Sequence, residues 1–129
     1  MKSIPSWSFS YNNDESIALV LKGEKTASFL YEHHSSPPKQ LLQVGNIGIL
    51  LFDNDKKACK TKTKDVIITE FNKRTSEFAN LEGLKDQNFE FYQKSYFDFF
   101  RTIDSNFQCN SKIIFIIFEV IEDLTKERL

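Results

Sequence analysis

Glycine is scarce in this chain. The four glycines among 129 residues are scattered rather than gathered as GxxxxGK or GxGxxG, which excludes a phosphate-cradling loop of either kind. Cysteine is scarcer still: Cys59 and Cys109 are far apart and outside any CxxC or Cys/His spacing, so neither a disulfide framework nor a zinc site is indicated. His33 and His34 are adjacent and would project to opposite sides of an extended chain, which argues against a metal centre. No metal and no cofactor are expected. Charge of one sign is lacking too, since 17 Lys and Arg against 18 Asp and Glu leave a formal charge of −1. Charge alone cannot hold such a chain on nucleic acid, and any contact of that kind would be local. Long apolar runs are missing: the longest, Ile113 to Phe118, is far too short to cross a bilayer, and MKSIPSWSFSYNNDE has no apolar core of signal-peptide length. The expectation is a soluble, cytoplasmic protein with no membrane partner.

What is present suits one core. A length of 129 residues at 40% hydrophobic content is that of a single globular domain, here residues 1–129. Thirteen Phe, four Tyr and one Trp predict a core filled by rings. No internal repeat, low-complexity stretch or linker interrupts the chain, and the sequence leaves the oligomeric state open.

Patterning predicts the elements. Asp14 to Lys22 begins with acids, carries Ile17, Ala18 and Leu21 at helical spacing and is stopped by Gly23. Thr26 to Tyr31 reads as a strand, followed by a loop at Pro37-Pro38. An apolar run from Ile47 to Phe52 meets the turn signal Asp53-Asn54-Asp55, so a hairpin is expected with its return strand over Ala58 to Thr69. In that strand lysine alternates first with cysteine and threonine, then gives way to an apolar half expected to be buried. Asn72 to Gly83 predicts a helix with Thr75 or Ser76 as cap and Phe78, Ala79 and Leu81 on one side. A longer helix follows over Phe89 to Ile103, packing through Phe89, Tyr92, Tyr96, Phe99, Phe100 and Ile103. The run KIIFIIFEVI, Lys112 to Ile121, predicts a strand buried on both faces. The order, a mostly antiparallel sheet with helices inserted between strands, implies an α+β fold or a small open barrel carrying helices.

Candidate chemistry falls on separate segments. Lys25, after Gly23-Glu24, is either a solvated turn lysine or, inside a cleft, a cation whose desolvated form could act as a base. Glu82 before Gly83 is either a last-turn helix residue or a site carboxylate; an acid there opposes the helix dipole and calls for some other reason. Lysines 56, 57, 60, 62 and 64 read as the wet face of the hairpin. A lysine, hydroxyls and a carboxylate could together form an activated nucleophile or a groove that contacts RNA.

At this point the residues resemble a known family. GEKTAS (Gly23 to Ser28) is similar to the Gly-x-Lys-Thr-x-Ser/Thr motif of the ASCH domain, a PUA-like family. EFANLEG (Glu77 to Gly83) resembles its EFAxxEG segment, FYQKSYFDFF (Phe91 to Phe100) its YWRxxHWxFF helix, and FEV (Phe118 to Val120) its terminal strand. Tyr96 stands where that helix has histidine and Phe97 where it has tryptophan.

The resemblance implies a PUA-like small β-barrel with helices packed around it, a fold found in RNA-modifying and RNA-binding proteins. One implied function is binding of RNA or of a nucleoside or nucleotide in a cleft lined by Lys25, Arg74 and Glu82, with Thr26, Tyr92 and Tyr96 as further contacts. The alternative is an amidohydrolase of acylated pyrimidine nucleosides such as acetylcytidine, with Lys25 as base, Ser28 as nucleophile and Glu82 as orienting carboxylate. A further alternative is a ribonuclease on single-stranded RNA.

Overall fold

The computed structural model describes residues 4–9, 13–31, 39–73 and 89–125, without the side chains of Phe29, Phe89 and Tyr92. The expected helix between Asn72 and Gly83 lies, from residue 74 on, outside the described residues. Five strands and two α-helices are described: β1 (Ser6–Trp7), α1 (Asn13–Leu21), β2 (Ala27–Tyr31), β3 (Ile47–Leu51), β4 (Lys57–Glu70), α2 (Phe89–Ile103) and β5 (Lys112–Asp123). Short 3-10 turns at Lys39–Leu42 and Phe71–Lys73 precede β3 and follow β4.

The strands form one mixed sheet in the order β1-β3-β4-β5-β2. β3 and β4 are the expected hairpin, closed where Phe52 N–H donates to the Lys56 carbonyl at 2.9 Å and Asp55 takes a φ of 67°. β5 pairs antiparallel with β4 on one side and with β2 on the other. In place of the expected barrel the described strands make an open sheet, because its edges β1 and β2 do not meet. Closure needs the two edges to hydrogen-bond along their length, and the described edges are short, β1 with two residues and β2 with five.

Each face of the sheet carries its own cluster. Directly paired residues share a face, so Ala27, Tyr31, Ile67, Ile113, Phe115 and Ile117 point one way. There they meet α2 and Phe107, a fully buried ring. Phe107 stands edge-on to Tyr31 and Phe71, with centroids at 4.9 and 5.3 Å. On the opposite face Phe118 joins Trp7, Phe9, Leu50, Cys59 and the α1 residues Ile17 and Val20. Gly48 is small for a packing reason: a Cβ there would come within 2.9 Å of a Leu41 methyl and 3.0 Å of the Trp7 ring.

Further expectations need correcting. β5 is not buried on both faces throughout, since Val120 and Ile121 beyond Phe118 are 38% and 44% exposed. The buried face of α1 is Asn13, Ser16, Ile17 and Val20, an i, i+3, i+4, i+7 stripe that leaves Ala18 exposed. Asn13 is inside because it is fully bonded, accepting from Phe9 N–H at 2.8 Å and donating to the Leu51 carbonyl at 3.0 Å. The far half of β4 is only partly buried, and Ile68 is 66% exposed. On α2, Phe100 is buried, and Phe97 packs against Phe71 and Phe107 while Ile103 faces outward. The threonines of β4 behave as the alternation requires: Thr61 and Thr63 are buried, with Trp7 Nε1 donating to Thr61 at 3.1 Å and Thr63 donating to the Leu41 carbonyl at 2.8 Å.

Candidate functional site

Gly23 ends α1 with a φ of +79°, a backbone conformation that costs glycine least. Its N–H donates to the Val20 carbonyl at 3.0 Å and the Glu24 N–H to the Leu19 carbonyl at 2.9 Å. This pair of bonds is a Schellman cap. The same Leu19 carbonyl also accepts from Lys25 N–H at 3.2 Å, so the backbone of Glu24 and Lys25 is tied to the helix end. Two residues later the chain enters β2. Its last link to β5 on this side is Phe118 N–H to the Thr26 carbonyl at 2.9 Å.

A cleft of about 590 Å³ opens at this fork. One wall is the end of α1 with Lys22, Gly23, Lys25 and Thr26; the other is β5 from Ile117 to Val120, with Lys64 reaching in from β4. Lys25 is buried, 5% exposed, and its Nζ lies 5.1 Å from the centre of the Phe9 ring, within cation–π range. Lys64 sits on a β-bulge, the extra residue between the pairs Thr63–Phe118 and Asp65–Ile117, a device that re-aims side chains. Its Nζ is 4.0 Å from Glu119 on the rim. Among the described residues the cleft thus carries three lysines against one glutamate.

The expected site residues divide as follows. Lys25 and Thr26 line the cleft together. Ser28 is buried in β2 opposite Ile116 and is not among the residues lining this cleft. Tyr96 stacks 6.4 Å from Phe100 in the cluster under the other face of the sheet. Arg74, Glu82 and the Tyr92 side chain lie outside the described residues, as do His33 and His34. Among the described residues no three of His, Cys, Asp or Glu gather into a group that could hold a metal ion. No described helix is long and apolar enough to cross a membrane.

Lys22 and Phe9 were not singled out from the sequence, and Lys64 was read only as one of the lysines on the wet face of the hairpin. Lys64 carries a legible signal, because Lys64-Asp65 breaks the lysine–threonine alternation of β4 where the bulge falls. Phe9 carries none, since its partner is set by how the N-terminal segment crosses the sheet.

Comparison with known proteins gives the same architecture. A model of the ASCH domain matches residues 5–122, and the chain belongs to the ASCH domain family. An ASCH domain from Lactobacillus crispatus superposes with a TM-score of 0.80 at 25% identity, covering 93% of this chain and 80% of that one. A protein from Enterococcus faecalis also gives 0.80, at 23% identity, over 100% of this chain and 87% of that one. An ASCH protein from Zymomonas mobilis shares the fold at 0.56 and 10% identity, over 93% of this chain and 71% of that one. No curated protein matches the sequence.

Proposed function

We propose that this ASCH domain binds single-stranded RNA or a nucleotide in the cleft at Lys25. The observation that carries the proposal is the burial of Lys25 over Phe9 at a fork whose rim adds Lys22 and Lys64. Val20, Leu21, Ile117 and Val120 make the cleft partly apolar, and Lys22 and Lys64, which remain in solvent, can meet phosphate. The cleft has the dimensions of a small-molecule site. It answers how a chain with net charge −1 can hold an anion: the positive charge is gathered where it is used. Expectation from the family agrees, PUA-like folds being those of RNA-binding and RNA-modifying proteins.

Hydrolysis of an acylated pyrimidine nucleoside by Lys25, Ser28 and Glu82 is the alternative. It gains least from the cleft described, whose hydroxyl beside Lys25 is that of Thr26. Affinity for a short single-stranded RNA, measured by fluorescence anisotropy at several salt concentrations, separates binding from chance adhesion. Lys25→Ala should weaken it about tenfold and Lys64→Ala should lower the salt slope by about 1. Equal affinity in both variants would remove the cleft from consideration.

A further inference from the structure

The fork exposes more than lysines. In an antiparallel ladder each residue directs both its N–H and its C=O to the same neighbouring strand, and successive residues alternate. Phe118 faces β2, since its N–H reaches the Thr26 carbonyl. Its partner on β4, Thr63, correspondingly faces β3: Thr63 N–H donates to the Asn46 carbonyl at 3.0 Å and its own carbonyl accepts from Gly45 N–H at 2.8 Å. Glu119 then faces its partner Lys62, and Val120, paired with Thr61, faces away from β4. Were β2 to continue backward from Thr26, Glu24 would lie opposite Val120. The Schellman cap prevents this by turning the Glu24 and Lys25 amides to Leu19. Val120 therefore directs a backbone donor and a backbone acceptor, side by side, into the cleft that it lines.

Resting on the nucleotide proposal above, we infer that the Val120 main chain reads the base of the bound ligand. A peptide N–H beside its own C=O matches a planar group with an acceptor next to a donor, as on the Watson–Crick edge of a nucleobase. The ligand class is then a nucleotide with such an edge free, its phosphate held by Lys22 or Lys64 on the rim. The positive rim favours this occupant, which always carries a phosphate, over an extended peptide, which would use the same edge but carries an anion only where it has an acidic side chain or its C-terminus. Backbone readout also explains how specificity could arise with no polar side chain from β5 on the inner wall: Ile117, Phe118 and Val120 are apolar, and Glu119 is held at the rim by Lys64.

The test combines amide hydrogen exchange of Val120 with three small probes. Uridine monophosphate should slow exchange of the Val120 amide by about tenfold at saturation. Its N3-methyl derivative, which has lost the donor, and ribose 5-phosphate, which has lost the base, should each bind about tenfold more weakly. Val120→Pro removes the N–H, which does not serve the β4 ladder, together with the valine side chain, at a position where sheets accept proline. It should weaken uridine monophosphate about tenfold while changing ribose 5-phosphate less than about twofold. Should that variant fail to fold, the exchange measurement on the native chain still decides. Ribose 5-phosphate binding as tightly as uridine monophosphate overturns the base-reading role and leaves the phosphate-binding cleft intact. Failure of all three probes overturns both. Protection of Val120 by a threonine-rich strand peptide and not by uridine monophosphate assigns the edge to a peptide and overturns the inference.

Discussion

Lys25 is 5% exposed, and a lysine is that far inside only when its surroundings answer its charge. Part of the answer is the Phe9 ring. Sequence identified Lys25 by motif but could not supply Phe9, because their contact joins segments separated by α1. Cys59 shows the converse, a residue whose chemistry burial removes. Its thiol is pushed from 9.0 up to about 11, first by burial and then by the Asp123 carboxylate. Native Cys59 should therefore resist alkylation at pH 8 while exposed Cys109 reacts. The raised value also has a consequence for stability. Below pH 9 the thiol is protonated folded or unfolded; between pH 9 and about 11 the unfolded chain ionises first, so stability falls with rising pH by on the order of 2 kcal/mol. Urea unfolding of Cys59→Ala across that window should show a flatter decline than the parent chain, and an identical decline would contradict the assignment.

At the scale of elements, Gly23 does two things. It stops α1, as the sequence indicated, and by turning Glu24 and Lys25 toward Leu19 it keeps β2 from pairing with the last part of β5. The second effect was not legible, since the pairing it prevents depends on register. The hairpin and α2 were legible nearly to the residue, because a turn signal between two strand runs and a 3.6-residue ring pattern are both local. Burial along them was less so. Phe107 sits at the centre of its cluster from a loop after α2, held by Arg101 Nε donating to its carbonyl at 2.8 Å; no periodicity extends into a loop to announce it. Gly23→Ala forces a side chain into left-handed backbone and should cost about 1 kcal/mol in chemical denaturation. It should also weaken the proposed RNA binding more than that loss of stability accounts for, since the cap sets the cleft. Unchanged affinity in a folded variant would detach the cap from the site.

For the whole molecule, the sheet places two rather different surfaces back to back. One face is closed by α2 and a cluster of rings around Phe107; the other carries α1 and splits at β2 to form the cleft. That division explains why the helix aromatics offered as ligand contacts were hard to judge from sequence: Tyr96 obeys the spacing of a packing face and lies under the sheet. The openness of the sheet was likewise beyond a linear reading, because closure depends on whether two short edges meet in space. The lysine-rich β4 looked like a single wet face, yet Lys60 is paired with Glu122 at 3.4 Å whereas Lys64, shifted by the bulge, turns toward the cleft. The most direct measurement is an amide chemical-shift map of the isotopically labelled chain during titration with a short single-stranded RNA. Shifts concentrated on residues 20–26, Lys64 and 117–120 are the predicted result. Shifts centred instead on the outer lysines of the hairpin or on α2, or none at saturating RNA, would contradict the assignment of this cleft as the RNA site.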